Sequence, residues 1–159
     1  MPALRLQHGR ICSTEVRAVH PQKVSGIITL ATKFEWTPEI AAKETAMLNP
    51  AVIEEKVPGF AAALENLHAP LDWKTVMNKT AELLVRLGNG EGLKEEEFRK
   101  IDVPVVLCLG SGDQMVSLKE TESASQLLPQ AEVMIIEGAQ HMLEKTDPAL
   151  IAEVIGRFQ

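Results

Sequence analysis

The stretch from Ile101 to His141, IDVPVVLCLGSGDQMVSLKETESASQLLPQAEVMIIEGAQH, decides the fold. Val103 to Leu109 is almost continuously apolar, as a strand covered on both faces is. Ser117 followed three residues later by Glu120 has the spacing of a capping box, which predicts a helix over Leu118 to Leu128. Glu132 to Ile136 is a second strand run. Strand, helix and strand in this order make the crossover unit of a parallel sheet. A short glycine-bearing loop follows each strand: Gly110-Ser111-Gly112-Asp113 after the first and Gly138-Ala139-Gln140-His141 after the second. Neighbouring parallel strands end on the same edge of a sheet, so these loops should bring a carboxylate and an imidazole together.

Each residue taken singly has a plainer reading. Asp113 behind two glycines suits a turn and the cap of the next helix. A lone loop histidine is ordinarily a solvated surface residue. The pair points to more. An aspartate accepting a hydrogen bond from one ring nitrogen of His141 fixes the imidazole tautomer and stabilises the imidazolium during proton transfer. His20 and His68 have no such companion. Glu95, Glu96 and Glu97 read as a solvated helix face, and no set of residues has metal-ligand spacing.

Working outward, Val24 to Thr32 (VSGIITLAT) predicts another buried parallel strand. The chain then reads as helical from Lys33 to Lys100. Thr37 caps a helix that starts at Pro38 and stops near Leu48. Shorter helices cover Ala51 to Lys56 and Gly59 to His68. The longest runs from a cap at Asp72 to Leu87, with Val76, Thr80, Leu83, Leu84 and Leu87 on its apolar face. Gly88 to Gly92 reads as a loop, and Lys94 to Ile101 as a charged helix. Pro148 to Phe158, capped by Asp147, closes the chain. Trp36 and Trp73 flank the helical segment as packing residues, and Trp36 could also line a pocket just after the first strand. Residues 1 to 19 show neither regular period and receive no assigned structure.

Bulk properties set the outer bounds. With 159 residues the chain is long enough for one domain with a real core. A net charge of −6 argues against a nucleic-acid partner. The apolar runs are strand-length, so no membrane span is expected. Arg5, His8 and Arg10 interrupt the start where a signal peptide would need an apolar run. Cys12 and Cys108 are too few for a disulfide framework, and Cys108 reads as a small buried hydrophobe. A cytoplasmic location is the expectation.

On these residues the chain resembles the α/β-hydrolase superfamily over about residues 20 to 159. HPQKVSGIITLAT (His20 to Thr32) is similar to the segment entering the sixth strand of that fold. IDVPVVLCLGSGDQMVS (Ile101 to Ser117) is similar to the seventh strand with the triad acid. AEVMIIEGAQHMLEK (Ala131 to Lys145) is similar to the eighth strand with the triad histidine. The resemblance implies an α/β fold represented in part, with three parallel strands, crossover helices and a helical cap inserted over about residues 34 to 100. It implies Asp113 and His141 as catalytic acid and base, a small apolar ester or related acyl substrate, and a cap pocket that Phe34, Trp36 and Met47 could line. It implies no metal and no organic cofactor.

The family places its nucleophile upstream, as G-x-S-x-G on a strand-to-helix turn. That motif is missing from this sequence, and Ser13 has no flanking glycines. The expectation is therefore a chain that keeps acid and base but is inactive alone. Residues 1 to 19 suggest a reason. One permitted back-translation of Arg5 to Arg17, read one base later, gives Gly-Tyr-Ser-Met-Gly-Gly-Tyr-Val-Ala-Leu-Arg-Tyr, a nucleophile elbow at the place the family would put it. Without further strands, Val24 to Thr32 would leave an open apolar edge, so an N-terminal half or self-association is expected to cover it. The rival readings are a non-catalytic small-molecule-binding or interaction protein, an enzyme with an aspartate nucleophile or carbon–carbon chemistry, and a self-contained module in which Asp113 and His141 are turn residues.

Overall fold

The computed structural model describes residues 3–6, 24–141 and 146–156. Four strands form one parallel sheet in the order β1 (Ala3–Leu6), β2 (Ile27–Leu30), β3 (Val105–Gly110) and β4 (Ala131–Ile136). Leu6, Leu30, Cys108 and Met134 stand level across the sheet. The three expected parallel strands are present, with β2 shorter than the apolar run that suggested it. It ends at Leu30, and the φ of 52° at Ala31 turns the chain out of the ladder. The fourth strand lies in the segment that carried no assigned structure. It corrects one expectation: the edge of β2 is paired with β1, so the outer strands are β1 and β4. ALRL is too short to display a period, and its strand character comes from pairing with β2.

The helices are α1 (Pro38–Ala46), α2 (Pro50–Lys56), α3 (Pro58–His68), α4 (Trp73–Arg86), α5 (Glu95–Phe98), α6 (Leu118–Ser125) and α7 (Pro148–Gly156). Five of their N-termini sit where side chains can hold the first free amides, Asn49 doing so for Ala51 and Val52 at the start of α2. Thr37, Asp72, Ser117 and Asp147 each accept from a backbone N–H two or three residues on. The Asp72 carboxyl is held below its ordinary pKa, first by the Thr75 hydroxyl and then by the Thr75 amide. α7 is described to Gly156, so the expected end at Phe158 lies outside the described residues. None of these helices is long and apolar enough to cross a membrane.

The described residues divide into two compact units. One takes the chain up to Glu35 together with the chain from Leu93 onward, and the other spans Trp36–Gly92. In the first, β3 is buried along its whole length while β4 is half exposed. The side-chain alternation of a strand then sorts the core onto two faces. Ile27, Val105 and Leu107 pack with Ala124 and Leu128 from the α6 side. Ile28, Leu30, Val106 and Cys108 pack with Val154 of α7. Both faces are thus covered, which explains why β2 and β3 read as continuous apolar runs.

The second unit has its own core of Ile53, Leu64 and Trp73. Here the glycine-rich segment differs from its reading as a loop. Leu87–Glu91 continues α4 as one π-helical turn, with Gly90 in the left-handed region at φ 80°. Gly88 is buried there because α1 lies against it. A Cβ at 88 would stand 2.6 Å from the Ala41 Cβ and 2.9 Å from the Thr37 carbonyl oxygen.

Gly88→Ala is therefore expected to destabilise the protein by about 1–3 kcal/mol, seen as a lower denaturant midpoint at unchanged slope. Thr29 should respond in the opposite sense. Its hydroxyl is buried without a partner on a residue 1% exposed. Thr29→Val keeps the shape and removes the orphaned oxygen, so the same measurement should show a gain of about 1 kcal/mol.

Candidate active site

The last pair of ladder partners between β3 and β4 is Gly110 with Ile136. The chain leaves both strands at one level, and the two loops continue the pairing beyond the sheet. The Ser111 amide donates to the Ile136 carbonyl at 3.0 Å, and the Gly112 amide donates to the Ala139 carbonyl at 3.0 Å. Ala139 is buried, and its carbonyl oxygen lies where a Cβ on residue 110 would have to go. Glycine at 110 is what lets the loops lie this close.

Asp113 follows at once. Its Oδ1 accepts from the amides of Met115 at 2.7 Å and Val116 at 2.9 Å, closing a turn that leads into the Ser117 cap. Its other oxygen faces His141: Nδ1 lies 2.9 Å from Oδ2 and 3.1 Å from Oδ1. The Asp113 side chain is 1% exposed and that of His141 12%. The contact is largely shielded from solvent, which strengthens the hydrogen bond between the two side chains. With the carboxylate as acceptor, Nδ1 carries the proton and Nε2 is the nitrogen left for exchange with a reacting group. One carboxylate thus closes the turn through Oδ1 and meets the imidazole chiefly through Oδ2.

The strand β2 adds a third loop at this edge. The Lys33 ammonium donates to the Met115 carbonyl at 3.0 Å. Glu120 differs from its expected capping-box role: its Oε1 accepts from the amides of Phe34 at 2.6 Å and Glu35 at 2.8 Å. Two amides with no strand partner outcompete the local N-cap, and α6 thereby holds the segment leaving β2.

The pocket candidates separate. Phe34 packs against the core of its own unit, its ring meeting Phe98 edge to face at 6.1 Å. It remains half-buried. Trp36 and Met47 belong to the Trp36–Gly92 unit, Trp36 half-buried and Met47 exposed. Among the described residues no three His, Cys, Asp or Glu side chains gather as metal ligands.

Solved structures with a similar fold include a carboxylesterase of Nitrososphaera gargenis (TM-score 0.68, 19% identity), an enol-lactonase of Burkholderia xenovorans (0.66, 14%) and an esterase of Thermogutta terrifontis (0.65, 16%). The chain has the α/β-hydrolase fold. The superpositions take in 98–99% of this chain but 62–65% of those chains, as a C-terminal portion of the fold would. By sequence, a non-heme chloroperoxidase of Kitasatospora aureofaciens is 32% identical over 72 residues, which are 43% of this chain and 26% of that protein. No family model matches the sequence.

The hydrolase-fold edge makes a sharp demand on residue 110. Gly110→Ala should lower stability by about 1–3 kcal/mol or more, because the new methyl meets backbone that cannot swing aside. Gly59→Ala, on a helix with nothing within 4 Å of the added carbon, should be neutral or slightly stabilising in the same unfolding experiment.

Proposed function

We propose that this chain is the acid–base portion of a serine ester hydrolase and is inactive as it stands. The observation that carries the reading is the buried bond from His141 Nδ1 to Asp113 Oδ2 at 2.9 Å, at the carboxyl edge of a parallel sheet. In the complete enzyme a serine hydroxyl attacks an acyl carbonyl. His141 takes the hydroxyl proton through Nε2 and returns it to the departing alcohol. Asp113 holds the ring and balances its transient charge, and backbone amides receive the oxyanion. The substrate is a small apolar ester or related acyl compound, with the Trp36–Gly92 unit serving as the cap and Trp36 and Met47 as its pocket candidates.

The position of β1 supports the frame-shift reading of residues 5 to 17. The shifted serine falls directly after Leu6, and Leu6 stands level with Leu30, Cys108 and Met134. A chain leaving β1 there emerges on the edge that carries Asp113 and His141. The outer edge of β1 is then the place for an N-terminal half, or a second copy, to add strands.

The absence of G-x-S-x-G from the sequence also favours a non-catalytic binding protein built on the same frame. The two readings diverge in the gene and in the assay. The nucleotide sequence over codons 5 to 18 should yield the elbow one base out of frame; no such string in any frame overturns that explanation. Purified chain mixed with p-nitrophenyl acetate should release p-nitrophenol at the buffer rate, since loss of the nucleophile costs about 10⁶ in such enzymes. Turnover that His141→Ala abolishes would overturn the inactivity, whereas stabilisation by an acyl ligand without turnover would favour the binder.

A further inference from the structure

Among the described residues the Ser111 hydroxyl hydrogen-bonds to neither Asp113 nor His141, yet it joins the loops that carry them. It donates to Glu137 Oε1 at 3.1 Å and accepts from the Gly138 amide at 2.9 Å. Gly138 sits at φ 75°, a left-handed turn that aims this amide back across the gap toward β3. The backbone bonds from Ser111 and Gly112 secure the near side of the second loop, to Ile136 and Ala139. The hydroxyl secures its apex, two residues before the chain turns into Gln140 and His141.

We infer that Ser111 is a positioning residue for His141, using its hydroxyl as a two-way brace that sets the imidazole against Asp113. The inference rests on the Asp113–His141 pair described above and adds a residue that neither accepts nor delivers a proton in the reaction. A hydroxyl is required because the site asks one atom to donate and accept at once. Alanine can do neither, and threonine can do both. The brace is exposed, so its loss should leave the core intact and act on the geometry of the ring.

The test reads the imidazole directly in the full-length chain. Ring nitrogen spectra of ¹⁵N-histidine-labelled protein should show His141 mainly protonated at Nδ1. Ser111→Ala should lower the ratio of Nδ1–H to Nε2–H by about threefold to tenfold, the range one exposed hydrogen bond can shift, with the unfolding midpoint nearly unchanged. Ser111→Thr should restore it. Asp113→Asn separates the possible failures. A His141 spectrum that ignores Asp113→Asn refutes the pair. A spectrum that responds to Asp113→Asn but not to Ser111→Ala refutes the brace alone.

Discussion

The meeting of the Ala139 carbonyl with the bare Cα of Gly110 is the constraint on which the site depends. β3 and β4 stay in register to their last residues, so the two loops start level. They remain level only because no side chain at 110 pushes the second loop outward. The amide of Gly112 takes the Ala139 carbonyl, and the backbone that follows delivers Asp113 one step later. A buried carboxylate and imidazole have to meet within a few tenths of an ångström to satisfy each other. Flexible loops could find that geometry but could not hold it, since each loop residue left free costs about 1–2 kcal/mol to fix. Here the sheet has already met that cost.

Asp113 illustrates how local and long-range demands share one side chain. Its turn needs an acceptor for two amides, and the histidine needs an acceptor for Nδ1–H. A carboxylate has four lone pairs on two oxygens and can meet both. Asparagine in the same place has a single acceptor oxygen, so it could close the turn only by presenting an N–H to His141. The residue type is thereby fixed twice over, by the fold and by the ring it faces.

The same distinction between local and long-range causes decides what the sequence could reveal. β3, β4, α6 and the caps at Thr37, Asp72, Ser117 and Asp147 were legible, because apolar runs and cap residues act within a few positions of themselves. The Asp113–His141 contact was legible too, since parallel topology follows from alternating strands and helices. β1 was not, because four residues acquire strand character only through β2. The turn at Leu87–Glu91 was misread because glycines that usually break a helix here admit α1 at Gly88. Glu120 followed its long-range amides over its local cap. Ser111 carried no signal at all: a serine between glycines in a loop is ordinary until Gly138 and Glu137 are known to face it.

The commitment of Nδ1 to Asp113 limits what the pair can do. A proton exchanged with any third group has to pass through Nε2, so the chemistry is set by whatever the rest of the fold presents to that nitrogen. All four strands run parallel, and every chain leaving the sheet at its carboxyl end emerges along the same edge. β2 delivers the segment that Lys33 and Glu120 anchor, and β3 and β4 deliver the pair itself. β1 is the remaining described strand ending there. The aspartate and histidine satisfy each other whatever that edge presents to Nε2, so the buried pair stands as structure in its own right.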